Sequence, residues 1–354
     1  MENATTIDTI GCDLGDKTSE LCVLRADDSM ESCRVRTTKD AMLRKFTRAP
    51  AHVVIEVGTH SRWVSELLHS LGHRVTVANP RQVKLISHNK SKSDRKDAQL
   101  LARLGRMDVV LLAPIQHRGT QVQADLAVPR SRDVLVRCRT MLVNHVRGVV
   151  KGWGERLPVC TAESFARGTE KAVPVALKPA LEPVYRALER LDEQIKELDR
   201  TIERVAKKYP DVEVVSQPNG VGVLTALVFI LTLEDKDRFK KSRLAGAYVG
   251  LRPKKSQSGK HDPQLRITKA GDPFLRRLLV NAANYVVGPF GSESDLRQWG
   301  LRLAERGGKN ARQRAKVAVA RKLAVLMHRL WVTGEVYEPV GYHQRQLQER
   351  QIAA

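Results

Sequence analysis

Cysteine is sparse and unpatterned. Cys12, Cys22, Cys33, Cys138 and Cys160 are odd in number, and no two stand at CxxC spacing. A structural zinc site needs thiolates grouped at short intervals, so none is expected, and the five are read as reduced, mostly buried thiols. Long apolar runs are missing too. The longest, Val223 to Leu233, is interrupted by Thr and too short to span a bilayer, which takes eighteen or more such residues. The opening Met-Glu-Asn-Ala-Thr-Thr lacks the basic start and apolar stretch of a signal peptide. The chain is therefore expected in the cytoplasm, with no membrane partner. Aromatic residues are only 5% of the composition, so stacking on single-stranded nucleic acid is not expected to dominate binding.

Acidic residues are also in short supply. Against 61 Lys and Arg there are 39 Asp and Glu, leaving a net charge of +22. Such a surplus repels itself and persists where a polyanion is the partner, and nucleic acid is the leading candidate. Hydrophobic content of 42% excludes a disordered chain. A length of 354 residues allows two or three domains.

The first hundred residues alternate strands with helices, which implies an α/β sheet with covered faces. Thr6 to Cys12, Glu20 to Arg25, Val53 to Val57 and Arg74 to Ala78 read as strands, with Asp13 to Thr18 as a turn. Ser61 to Leu71 reads as a helix closed by Gly72. Ser93 is an N-cap for a helix ending near Gly105. A long basic helix is expected over Ser131 to Lys151. After Pro179, Leu181, Val184, Leu188, Leu191, Ile195, Leu198, Ile202 and Val205 keep 3-4 spacing, the signature of a coiled coil or helical hairpin, ended by Tyr209-Pro210. The domains expected are residues 1–155, a linker and coiled coil over 156–210, a mainly helical basic domain over 211–337, and a polar tail over 338–354. The basic domain carries twelve Lys/Arg against two acids between Arg238 and Arg277, and nine against one between Arg302 and Arg329.

Four carboxylates stand out within that α/β pattern. Asp13 ends the first strand, and Glu56 sits inside the apolar run Val53-Val-Ile-Glu-Val, where burial is costly unless the charge is paired or metal-bound. Asp94 and Asp97 are three apart and share one helix face. Hard oxygen ligands converging from separate elements are what Mg²⁺-dependent phosphodiester chemistry needs. Asp16 is a spare acid in the turn after Asp13. Singly, each has an ordinary reading as a turn, edge or helix-end charge.

Farther on, Gln217-Pro-Asn-Gly220-Val-Gly222 reads as a turn between two helices. Its backbone N–H groups at Gly220 and Gly222 suit a phosphate, although a plain tight turn explains them nearly as well. Lys269, Arg276 and Arg277 flank a helix start at Gly271-Asp-Pro and are candidate phosphate contacts. Gly307-Gly-Lys-Asn does not fit a P-loop, so no nucleotide hydrolysis is implied. His60, His73 and His261 are not spaced as metal ligands, and Trp153, Trp299 and Trp331 are expected in cores.

Asp13, Glu56 and the Asp94-x-x-Asp97 pair, followed by a basic C-terminal domain, resemble the DEDD-type insertion-sequence transposases, the bridge-RNA-guided recombinases. Ser91-Lys-Ser-Asp-Arg-Lys-Asp-Ala and Arg266-Ile-Thr-Lys-Ala-Gly-Asp-Pro-Phe-Leu-Arg-Arg carry the likeness, which covers nearly the whole chain. The resemblance implies a RuvC-like (RNase H-like) first domain whose acids Asp13, Glu56, Asp94 and Asp97 bind Mg²⁺, a coiled-coil spacer, and a C-terminal domain with a catalytic serine. It also implies DNA partners (element ends and target), a structured noncoding guide RNA, a homodimer or homotetramer, and a nucleoid-associated place in a bacterium. The family serine matches Gln257-Ser258-Gly259-Lys260, which makes Ser258 the expected nucleophile and leaves Ser256 open. Lys254, Lys255, Lys260 and Arg266 surround that segment with charge that would hold a phosphate, and a serine hydroxyl needs such help before it attacks. A Holliday-junction resolvase using water, and a non-cleaving nucleic-acid scaffold, are the competing functions.

Overall fold

The first apolar run forms β1 (Thr9–Asp13), and its register fixes everything near it. The structure, a computed structural model, describes residues 7–47, 49–79, 93–259, 261–263 and 265–342. Two compact units divide at Arg118 and Gly119. The long basic helix, assigned above to domain 1–155, therefore belongs to the second unit.

In the first unit β1 pairs antiparallel with β2 (Thr18–Leu24) and parallel with β4 (His52–Glu56). β3 (Met30–Arg36) and β5 (Arg74–Ala78) complete the order β3-β2-β1-β4-β5. Alternate residues divide the faces. Cys12, Leu21, Val53, Ile55 and Val77 pack against α1 (Lys39–Phe46) and α2 (Ser61–Ser70) through Met42, Phe46, Val64 and Leu68. Cys22, Leu24, Val54 and Ala78 lie on the opposite face, under α3 (Asp94–Met107). The expected first strand is present over Thr9–Asp13 and ends at Asp13, as read from the sequence; Thr6 lies outside the described residues. His73 is buried and structural: its Nδ1 accepts from Ala51 N at 3.1 Å and its Nε2 lies 2.8 Å from the Phe46 carbonyl.

The second unit is built on two long helices, α4 (Thr120–Gly152) and α6 (Lys178–Ala206), which run antiparallel. The heptad pattern is satisfied within the chain, but its phase differs from the apolar count. Leu181, Tyr185, Leu188, Ile195 and Ile202 are buried, whereas Val184, Leu191 and Leu198 are half-buried at the flank. Asp192 and Asp199 occupy the remaining seam positions. Arg139 Nη1 donates to Asp192 at 2.8 Å and Arg132 donates to Asp199. Arg139 is buried, and Asp192 is only 15% exposed. Breaking such a pair leaves a desolvated charge behind. Arg139→Ala is expected to cost about 2 kcal/mol in urea unfolding, short of a fully buried pair, and Arg139→Met with Asp192→Leu to recover most of it. Equal losses in the single and double variants would mean the pair is not what holds this level of the hairpin.

The connection between these helices packs on them through α5 (Phe165–Thr169). The Phe165 ring stacks on Tyr185, centroids 6.0 Å apart. The remaining helices are α7 (Asp211–Val215), α8 (Val223–Leu233), α9 (Arg243–Tyr248), α10 (Pro273–Val286), α11 (Asp295–Glu305) and α12 (Ala311–Thr333). α8 is buried from Thr225 to Leu233, which explains its apolar run: it is the centre of a helical core, not a membrane segment. Among the described residues no helix is long and apolar enough to cross a membrane. The same core takes in Leu126, Ile202 and Val205, so the root of the hairpin and the region after Asp211 share one interior.

Trp331 is buried and Trp299 half-buried beneath Lys322, but Trp153 is 58% exposed at the end of α4 and anchors no core. Cys12 and Cys22 are buried, whereas Cys33, Cys138 and Cys160 are half-buried; all five are free. The start of the tail folds back, with Pro339 O accepting from Asp295 N at 2.9 Å; residues 343–354 lie outside the described residues.

Candidate nuclease centre and nucleic-acid interface

α3 lies unusually close to β1, and two glycines permit it. A Cβ on Gly11 would stand 2.0 Å from the Ala98 carbonyl oxygen and 2.5 Å from Ala102 N, and one on Gly105 would meet Val54 Cγ2 at 2.4 Å. Gly105 thus lies over the start of β1 and Ala98 over its middle. The first turn of α3, with Asp94 and Asp97, points to the end where Asp13 stands. Ser93 caps that turn, its hydroxyl accepting from Lys96 N at 3.4 Å. β1 and β4 pair up to Cys12–Ile55, and the next residues are Asp13 and Glu56. Both share the parity of Gly11 and Val54 and so face α3.

Electrostatics register the convergence. Burial, followed by the charges of Asp94, Asp97, Glu56 and Glu20, pushes the Asp13 carboxyl up to about 6. Asp97 Oδ1 is buried with no hydrogen-bond partner. An orphaned carboxylate oxygen amid mutually repelling carboxylates fits a hard divalent cation. Among the described residues no three acidic, His or Cys side chains are already drawn to metal-binding distances. Glu20 was missed by the sequence reading. It faces Asp13 across the β1–β2 ladder and is held by Arg34. The signal was available, because Glu20 has the same strand parity as buried Cys22 and Leu24. Asp16, the spare acid, has a side chain 92% exposed and lies 3.4 Å from His60 Nε2.

Ser258 sits at the tip of an excursion between α9 and α10 that has backbone pairing of its own. Lys254 N donates to Arg266 O at 2.9 Å, Thr268 N to Arg252 O at 2.8 Å, and Ser258 and His261 exchange bonds of 3.1 and 3.0 Å. The segment is thus a two-legged arm, not an unstructured linker. Ser256, Ser258, Lys254, Lys255, Arg266 and Lys269 are all exposed on it. Lys260 lies outside the described residues.

Two candidate phosphate contacts are otherwise engaged. Arg276 Nη1 donates to Val249 O at 3.0 Å and Ala270 O at 2.7 Å, fastening the root of the arm. Arg277 pairs with Asp133 of α4 and lies over Phe274. Both thus have a partner within the chain beside the phosphate contact expected of them. Gly220 (φ +83°) turns the chain against α10, where a Cβ would stand 2.9 Å from Ala282 O. Gly222 is open and caps α8.

A mixed sheet thus carries two strand-end acids and two aspartates from a helix on one side, and the families that match this chain are those of transposases. The family described as transposase IS116/IS110/IS902 matches residues 212–296, and the DEDD transposase of the IS110 type matches residues 10–154. The chain is 30% identical over 298 residues to the transposase for insertion sequence element IS1111A of Coxiella burnetii, covering 80% of this chain and 79% of that one. It is 28% identical to a probable family 20 transposase of Pseudomonas aeruginosa, over 87% of this chain and 92% of the relative. A third relative, the transposase for insertion sequence element IS1328 of Yersinia enterocolitica, is 27% identical over 67% of this chain and 71% of its own. The protein belongs to the IS110 family of insertion-sequence transposases. The DEDD match together with the mixed sheet gives the first unit an RNase H-like fold.

Proposed function

We propose that this transposase cuts and rejoins the DNA of its element by attack of Ser258 on a strand phosphate, assisted by Mg²⁺ at Asp13, Glu56, Asp94 and Asp97. Ser258 Oγ forms the bond to phosphorus as the strand's bridging oxygen leaves, and the phosphate is carried as a serine ester until another strand's hydroxyl takes it. Lys254, Lys255 and Arg266 neutralise the phosphates beside the arm tip. Mg²⁺, when bound, offsets the charge that develops on the phosphate. The four carboxylates would hold it, with Asp13 at the centre. The observation that supports the metal part of this reading is the convergence of Asp94, Asp97 and Glu56 on Asp13, together with the unpartnered Asp97 Oδ1.

Family likeness adds a structured noncoding RNA that selects donor and target DNA, and a homodimer or homotetramer. Val184, Leu191 and Leu198, one heptad apart beside the filled seam of α6, are the residues through which a second copy would complete a coiled coil.

The test compares wild type, Ser258→Ala, Ser256→Ala and Asp13→Ala on element-end DNA with Mg²⁺ and the flanking noncoding RNA, on a denaturing gel that retains protein joined to DNA. An adduct present in wild type and Ser256→Ala, and lost in the other two, is the expected result. Cleavage without an adduct that survives Ser258→Ala would sink the serine and favour a water-using resolvase. Binding without any cleavage would indicate a scaffold.

A further inference from the structure

We propose that the groove between α10 and α12 holds an unstacked nucleotide of single-stranded nucleic acid. The groove has a volume of about 570 Å³, within the range of small-ligand sites. One wall is α10, with Asn281, Asn284 and Tyr285. The turn after it brings Phe290 to the mouth, and Arg312 and Lys316 of α12 form the opposite wall. Apolar side chains of α11 supply the floor.

Three features single it out. Phe290 is 82% exposed and Tyr285 46%, in a chain with few aromatics, most of whose other rings are committed to packing. An exposed ring at a groove mouth offers a flat face of the kind on which a base stacks. Asn281 and Asn284 stand one helical turn apart, and neither side chain has a hydrogen-bond partner among the described residues. Each amide carries both donor and acceptor, the pattern that meets a base edge. Arg312 and Lys316 likewise form no ion pair among the described residues, and would face the phosphates on either side. Aromatic, amide and cation together match the face, edge and backbone of one nucleotide. A base inside a duplex has both faces covered by its neighbours, so the ligand is an unstacked one. The low overall aromatic content limits stacking along the chain as a whole, but not at one place where two rings share a mouth.

The proposal uses only the affinity of this protein for nucleic acid and is independent of the serine mechanism. Its test is therefore binding without metal. Fluorescence anisotropy would be measured for the full chain in EDTA with labelled single-stranded DNA, single-stranded RNA of the same sequence, and the duplex. Phe290→Ala combined with Tyr285→Ala is expected to weaken single-strand binding about tenfold and leave duplex binding unchanged. Phe290→Trp should keep wild-type affinity. Arg312→Ala should reduce the slope of log affinity against log salt by about one. Whichever single strand loses affinity identifies the source of the nucleotide, and loss on both means the groove takes either. Unchanged single-strand affinity in the double variant, or an equal loss on duplex, would overturn the proposal. Phe290 alone is so exposed that Phe290→Ala does not threaten folding, and it should show a smaller loss of the same selectivity.

Discussion

Asp13→Asn is expected to lower cleavage about a thousandfold while making the metal-free protein more stable at neutral pH. The two effects have one cause. Burial and the surrounding carboxylates raise Asp13 from 3.8 to about 6, so the folded state binds its proton more tightly than the unfolded state does. Stability attributable to this group is full below about pH 4 and falls as pH rises through 6. At pH 7 the wild type carries that repulsion and the asparagine variant does not. The gain is about 1 kcal/mol, less than the full shift implies, because a half-buried carboxylate is partly screened. Urea unfolding in EDTA at pH 7 and pH 4 should show the variant ahead at the first and level with wild type at the second. Mg²⁺ should then stabilise the wild type more than the variant. A variant less stable than wild type at pH 7 in EDTA would show that Asp13 is not crowded at all.

Gly11→Val is expected to be the most damaging single change in the first unit, costing about 3 kcal/mol or more together with all cleavage. The added carbons would meet the backbone of α3 at Ala98 and Ala102, where no side chain can turn aside. Relief requires lifting the helix off the sheet, which carries Asp94 and Asp97 away from Asp13. Gly105→Ala makes a useful comparison, since its Cβ meets a Val54 methyl that can shift. Its cost should be clearly smaller, and activity should persist. Equal effects at the two sites would mean that α3 does not depend on the Gly11 contact.

Asp13, Glu56, Asp94 and Asp97 stand out in the sequence because each breaks a pattern: Asp13 and Glu56 end apolar strands, and Asp94 and Asp97 share a capped first turn. Glu20 escaped because its strand is mixed in polarity and an acid there reads as solvent-facing. β3 and α1 escaped for a related reason. β3 is an edge strand with no fully buried residue, so its sequence Met-Glu-Ser-Cys-Arg-Val-Arg shows no clean alternation. The two legs of the arm carrying Ser258 are paired through backbone bonds, which leave no trace in side-chain pattern. Arg276 and Arg277 looked like free cations because sequence shows charge but not the carbonyls and carboxylate that occupy it. Counting only apolar residues put the α6 seam out of phase, since Tyr185, Asp192 and Asp199 complete it.

The two arginine–aspartate rungs work together as a vernier. Arg132 and Arg139 are one heptad apart, as are Asp192 and Asp199, so sliding one helix by a heptad would still align Arg139 with Asp199. That slip would strand Asp192 beside Val146 and Arg132 beside Ala206, two unpaired charges facing hydrocarbon, the first of them largely buried. A seam of leucine alone would tolerate the slip at little cost. With the rungs in place only one alignment matches both charges, which fixes how far the hairpin reaches from the core in which it is rooted.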